Sequence, residues 1–226
     1  MSAGTLLKVL ARDAKQALAP SAPRQGLPPE PLKLRRGGFL EIDPLPYRML
    51  QGRANFELGQ SAQPIAARGL IDLSGTWLLR YYLDDDETWL QVKTDGGTDD
   101  ANVSECILWQ YWDCKTPANL AELKSIAGPA SEIGLPTYEV GAFVYQRVWG
   151  VSRGQTELVP FVEQVFDQND ATPSFSCQHY AMLYRRRIED SPRQEYVLIS
   201  VEESPQSLDV ATSIGVDVNP ADLTVT

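Results

Sequence analysis

Gly150-Val151-Ser152-Arg153-Gly154 satisfies the G-x-S-x-G pattern of a nucleophile elbow. Asp167 or Asp170 and then His179 follow it, in the Ser…Asp…His order of an α/β-hydrolase. That chemistry needs a strained strand-to-helix turn that lifts the serine hydroxyl above a parallel sheet. Here strand-like runs flank the motif on both sides, and His179 sits mid-strand between Gln178 and Tyr180. Too few positions separate Ser152 from His179 to hold intervening βα units, so the pattern reads as a glycine-rich turn. No catalytic residue is assigned.

The other chemical candidates weaken on the same test. Asp84-Asp85-Asp86-Glu87, with Asp95, Asp99 and Asp100 on a neighbouring turn, offers the hard oxygens that calcium takes. Neither segment has the alternating D-x-[DN]-x-[DN]-G pattern closed by Glu, so both read as solvated turns; no metal and no cofactor is expected. Arg185-Arg186-Arg187 could meet phosphate or an acidic peptide. Strand alternation sends Arg186 to one face and its neighbours to the other, so ion pairing is the default reading. Aromatic residues gather near strand ends: Trp77, Tyr81, Tyr82, Trp89, Trp109, Tyr111, Trp112, Tyr145 and Trp149. Core and cross-strand packing is the expected role, with a sugar or peptide groove as the alternative.

Composition narrows the function classes further. The 226 residues include one His and three Cys, which excludes most metal centres and most histidine-based catalysis. Cys106, Cys114 and Cys177 form no C-x-x-C pair and read as free thiols, best used as buried small hydrophobes. A net charge of -10 argues against nucleic acid, whose phosphates need a basic stripe. The charge is uneven: Met1 to Arg53 holds nine basic and four acidic residues, while the remainder is strongly acidic. No stretch approaches the roughly 18–20 apolar residues of a membrane-spanning helix. The N-terminus also lacks a secretory core and cleavage site, so a cytoplasmic protein is expected.

These residues must be positioned by a β-rich chain. Leu7, Leu10, Ala14 and Leu18 recur at helical spacing beside Lys8, Arg12 and Lys15, predicting an amphipathic leader helix that ends at Pro20. Residues 19–31 have a linker composition, so residues 1–35 read as leader and linker, and residues 36–226 as a single β-rich domain. Ile65, Ala67, Gly69, Ile71 and Leu73 alternate with less apolar neighbours, as a half-buried strand requires. Trp77–Leu83 and Thr88–Lys93 flank a polar turn and predict a hairpin; Cys106–Trp112 predicts the next strand. Asn119 and Glu122 form a capping box for one short helix stopped by Gly128-Pro129. Tyr138–Trp149, Glu157–Phe166, Phe175–Ile188 and Gln194–Glu202 predict long strands, and Asn219-Pro220 opens a final helical turn. The pattern predicts an α+β fold that is mostly antiparallel, a sandwich or partly open barrel. An N-terminal amphipathic helix and one or two short helices complete it.

Several phrases together carry a resemblance. They are Gly38-Phe39-Leu40-Glu41-Ile42-Asp43-Pro44-Leu45, Ala67-Arg68-Gly69-Leu70-Ile71-Asp72-Leu73, Arg80-Tyr81-Tyr82-Leu83-Asp84-Asp85, Tyr145-Gln146-Arg147-Val148-Trp149-Gly150, Val201-Glu202-Glu203 and Gly215-Val216-Asp217. From about residue 36 onward the chain resembles the proteobacterial YjfK-like proteins, a family of unknown function. The resemblance carries over no catalytic residue. It implies a cytoplasmic accessory protein in a membrane-associated system. Neighbouring genes there encode a coiled-coil protein similar to phage shock protein A, small membrane proteins, and an ATP-grasp ligase similar to glutathionylspermidine synthase.

Two function classes follow. The first is a non-enzymatic interaction module with a protein partner, possible peripheral membrane association, and Leu7, Leu10 and Leu18 as docking residues. The alternative is an enzyme with an Asp/Glu/Arg/Tyr pocket. Arg80, Tyr82, Asp85, Arg147 and Trp149 are the candidate binding residues.

Overall fold

The period-two runs become twelve strands in a computed structural model, which describes residues 28–168 and 171–226. Leu7, Leu10 and Leu18, and with them the expected leader helix, lie outside the described residues. One meander comprises β2 (Ala62–Asp72), β3 (Thr76–Leu83), β4 (Thr88–Asp95) and β5 (Val103–Lys115). A second comprises β8 (Val159–Phe166), β9 (Phe175–Arg187), β10 (Gln194–Glu203) and β11 (Leu208–Asp217). β5 pairs with β11, and β8 pairs with β2, both antiparallel. The ring β2-β3-β4-β5-β11-β10-β9-β8 therefore closes. This corrects the expected sandwich or partly open barrel to a closed eight-stranded barrel, an arrangement that removes sheet edges from the ring.

Four shorter strands hang from the ring. β1 (Phe39–Ile42) extends β2 and is itself paired with β12 (Leu223–Val225). β6 (Thr137–Val140) and β7 (Phe143–Arg147) form a hairpin against β9, so the run expected as one strand from Tyr138 is broken at its turn. Two α-helices are present among the described residues, α1 (Leu45–Arg48) and α2 (Leu120–Ala127). α2 begins at the anticipated Asn119 cap: Glu122 N–H donates to the Asn119 side chain at 3.0 Å, while Glu122 Oε2 accepts from the N–H of Ala118, one residue before the cap, at 2.8 Å.

The barrel strands are buried on both faces. Leu79, Leu90, Leu108, Ile199 and Ile214 face outward into a large apolar cluster. Leu34, Leu40, Tyr47, Phe56, Leu123 and Ile133, all from segments outside the ring, belong to that same cluster. Fully buried Leu34, and Glu30 paired with Arg68, show that packing on the barrel starts N-terminal to Arg36. Ile71, Trp89, Ile107, Trp109, Phe161 and Leu198 form a second cluster on the opposite face. Residues of seven of the eight ring strands on that face line one common cavity, so it is the lumen. A bulge between Ile65 and Ala67 resets the alternation of β2. Ile65 thus joins the outer cluster while Ile71 joins the lumen, although the sequence put them on one face.

Gly215 on β11 stands opposite Trp109 on β5. A Cβ there would sit 2.6 Å from Trp109 Cε3, so the glycine is what lets the Trp109 ring lie flat across β11 toward Tyr196, 6.2 Å away. Gly215→Ala is expected to cost about 1–3 kcal/mol by overpacking, read as a lower urea midpoint with unchanged slope.

Candidate functional site

Inward parity on β3 and β8 points Arg80 and Glu163 into the lumen from strands that are not neighbours. Gly69 of β2, paired with Arg80, lies between them and has no side chain to keep them apart. A Cβ at Gly69 would fall 1.7 Å from Glu163 Oε1. Across this gap Arg80 Nη1 meets Glu163 Oε2 at 2.7 Å, and the Tyr82 hydroxyl donates to Glu163 Oε1 at 2.7 Å. His179 of β9 brings Nε2 to 3.0 Å from Glu163 Oε2, an ion-pair distance but out of line for a hydrogen bond. Its Nδ1 lies 3.0 Å from Ser200 Oγ, and 3.6 Å from Glu202 Oε1. Arg80, Glu163 and His179 are each at most 3 % exposed.

Aromatic rings enclose this charge. The Arg80 guanidinium lies 4.5 Å from the centre of the Trp89 ring, and Trp89 stacks on Trp109 at 5.2 Å. Phe161 stacks on His179 at 4.9 Å. Burial opposes both charges of the pair. It pushes the Glu163 carboxyl up, but Arg80, His179 and Tyr82 outweigh it and hold the pKa down at about 2. Burial likewise acts to lower Arg80, and Glu163 with Tyr82 outweighs it, leaving the guanidinium above its ordinary value. Burial, then the Glu163 charge, raises the Tyr82 hydroxyl, which stays protonated and donating.

Two cavities flank this cluster along the lumen. The larger, of about 400 Å³, opens beside Glu202, Asp209 and the β3–β4 turn, with Glu163 and His179 at its inner end. The smaller, of about 260 Å³, lies beyond Arg80 and Trp109 and is edged by Trp149, Lys93 and Arg185.

The five sequence candidates thus separate. Arg80 and Tyr82 meet at the centre of the lumen, and Trp149 edges the smaller cavity. Asp85 instead organises the β3–β4 turn, accepting from Glu87 N–H at 3.0 Å, Thr88 N–H at 2.8 Å and Gln63 Nε2 at 2.7 Å. Arg147 donates to the carbonyls of Gly134, Ser152 and Gly154, which ties down the G-x-S-x-G loop. Ser152 is exposed, and both ring nitrogens of His179 face other groups. Ser200, His179 and Glu163 do line up as hydroxyl, imidazole and carboxylate. Ser200 is 2 % exposed and lines neither cavity. Arg185 goes to the smaller cavity and Arg186 to Glu195 on the outer face, while Arg187 is exposed.

Sequence reasoning missed Glu163, Glu202 and Tyr111 as lumen residues and gave His179 no site role. The signal present was parity: Glu163 shares its phase with Phe161 and Val165, and His179 with Cys177 and Ala181. A charged group on an apolar phase needs a partner, which the linear sequence does not name.

Residues 10–224 match a family model described as "Protein of unknown function (DUF2491)". The chain belongs to this family. The chain is also similar to the uncharacterized protein YjfK of Escherichia coli (strain K12), 26 % identical over 222 residues and 95 % of each chain. No solved structure matches the chain. Among the described residues no helix is long and apolar enough to cross a membrane, and no group of three or more His, Cys, Asp and Glu is placed to hold a metal ion.

Removing one member of the lumen pair leaves the other charge buried and unpaired. Glu163→Ala is expected to cost about 3–5 kcal/mol, and Arg80→Met with Glu163→Leu together much less than the two single costs summed. Because the folded Glu163 pKa is depressed from 4.5 to about 2, its contribution is complete above that window and is lost as pH falls through it. Urea titrations down the pH scale should therefore show the gap between wild type and Glu163→Gln narrowing across this interval.

Proposed function

We propose that the chain is a binding protein whose barrel lumen takes up a small amphipathic molecule through the mouth beside Glu202. The observation that carries this reading is the cavity of about 400 Å³ at that mouth, lined from all eight ring strands. A close-packed interior leaves few voids larger than a water molecule. A cavity of this size, with apolar walls and a few convergent polar groups, has the form of a small-molecule site. Ala67, Leu83, Val165 and Phe175 supply the walls, while Tyr82, Tyr111 and His179 supply polar contacts.

Eight-stranded barrels have an interior just wide enough to be filled by side chains or to hold one small ligand. Here Arg80, Glu163, Trp89 and Trp109 fill the middle and leave the mouth open. Of the sequence candidates, Arg80 and Tyr82 act in this reading through Glu163, as the floor of the site. Binding rather than turnover fits an accessory role beside other proteins, which is the role the YjfK-like resemblance implies. A protein partner belongs to that wider proposal and engages surfaces other than the lumen.

The test is fluorescence titration with N-phenyl-1-naphthylamine, a neutral apolar dye that brightens on leaving water. Wild type should bind it saturably with one equivalent per chain. Ala67→Trp, which fills the cavity from β2, should weaken binding at least about tenfold while far-UV circular dichroism stays unchanged. Absence of saturable binding, or a folded Ala67→Trp that binds like wild type, would overturn the reading.

A further inference from the structure

The two ends of the lumen differ in charge. Among the described residues, the acidic and basic lining of the larger cavity consists of Asp86, Glu163, Asp167, Glu202, Asp209 and His179, with no Lys or Arg. Glu163 is already neutralised by Arg80, which leaves four rim carboxylates without a cation in the lining. Two of these groups are fixed in place. Thr116 donates to Asp209 Oδ1, and Ser174 donates to Asp167 Oδ1. Glu202 reaches only to 3.6 Å from His179 Nδ1, beyond hydrogen-bond length. The smaller cavity has the opposite bias, with Arg80, Lys93 and Arg185 against Glu105.

Beneath the rim, the walls are apolar and aromatic. Tyr82, Tyr111 and Phe175 present rings to the space that the carboxylates overlook. Ring faces attract cations, and a carboxylate partly withdrawn from water does so more strongly than one in bulk solvent. Burial pushes the Glu202 carboxyl above its ordinary range, with His179 and Arg80 pulling it back only in part, so an added cation would favour its charged form.

We infer that the lumen ligand is an organic cation, an ammonium on a compact apolar or aromatic body, whose nitrogen sits at the Glu202–Asp209 rim while its body enters between Tyr82, Tyr111 and Phe175. This rests on the lumen being a binding site, and it adds the charge and orientation of the occupant. The body displaces water from the apolar walls, and the ammonium replaces part of its own hydration with the Glu202 carboxylate. A neutral isostere gains only the first of these, and an anionic one meets repulsion at the rim.

The experiment is competition against bound N-phenyl-1-naphthylamine by three molecules of similar shape: phenethylammonium, phenethyl alcohol and phenylacetate. Phenethylammonium should displace the dye at a concentration at least about tenfold below that of the alcohol, the margin of one charge-assisted hydrogen bond. Phenylacetate should be the weakest. Glu202→Gln, and separately Asp209→Asn, should shrink the ratio of ammonium to alcohol toward unity, and added sodium chloride should shrink it in wild type. Equal potency of ammonium and alcohol in wild type, or a stronger phenylacetate, overturns the inference while leaving the binding reading intact. Failure of the dye to bind overturns the binding reading first. A wild-type preference that survives unchanged in both folded variants removes Glu202 and Asp209 as the rim that reads the charge.

Discussion

The ion pair between Arg80 and Glu163 is the contact on which the barrel's closure turns. β8 meets β2 through only three residue pairs, Arg68 with Phe166, Gly69 with Val165 and Leu70 with Gln164. Inside the lumen, however, Glu163 binds Arg80 and Tyr82 of β3 and contacts His179 of β9. One carboxylate therefore ties β8 across its short seam with β2 to β3, and also to its direct neighbour β9. An apolar pair could supply comparable burial, but it would pack in several registers. A guanidinium and a carboxylate satisfy each other in one, and a slip by a single residue would turn both charges to the wrong face.

The second constraint is that barrel strands are covered on both sides. In β10 every residue from Glu195 to Val201 is buried, which erases the polar-out half of the alternation. The lumen takes Tyr196, Leu198 and Ser200, while the outer cluster takes Val197, Ile199 and Val201. The outer cover comes from the segment around Leu34, from β1, α1 and α2, and from the β6–β7 hairpin. The additions to the ring thus form part of the core. They also leave the lumen mouths as the places where the inward face meets solvent.

This double burial explains what could be read from the chain. Local signals were legible: the β3–β4 hairpin about its acidic turn, the Asn119–Glu122 cap, and the Asn219 cap, whose side chain accepts from Ala221 N–H at 3.0 Å. They involve residues a few positions apart, where spacing and geometry are nearly the same thing. Closure was not legible, because the pairings of β5 with β11 and β8 with β2 join distant segments with no local mark. The Ile65–Ala67 bulge was hidden for a different reason: it shifts the phase of a strand without changing its composition. At the site, Arg80 and Tyr82 were legible as chemically notable residues, whereas Glu163 and His179 became meaningful only as their partners. Cys114, expected to be buried like Cys106 and Cys177, is exposed beyond the two clusters.

The long separation between β5 and β11 also has a consequence in time. As the chain leaves the ribosome, β2 through β5 can zip into a meander at once, but the free edge of β5 must wait for β11, which is made after β8, β9 and β10. Until then a nascent sheet carries an unpaired edge and two largely apolar faces, one destined for the lumen and one for the outer cluster. Folding dominated by such non-local pairings is intrinsically slow. The polar Asp84–Glu87 turn and the carboxylates of the first meander give that waiting intermediate a negative charge, which disfavours edge-to-edge pairing between unfinished chains.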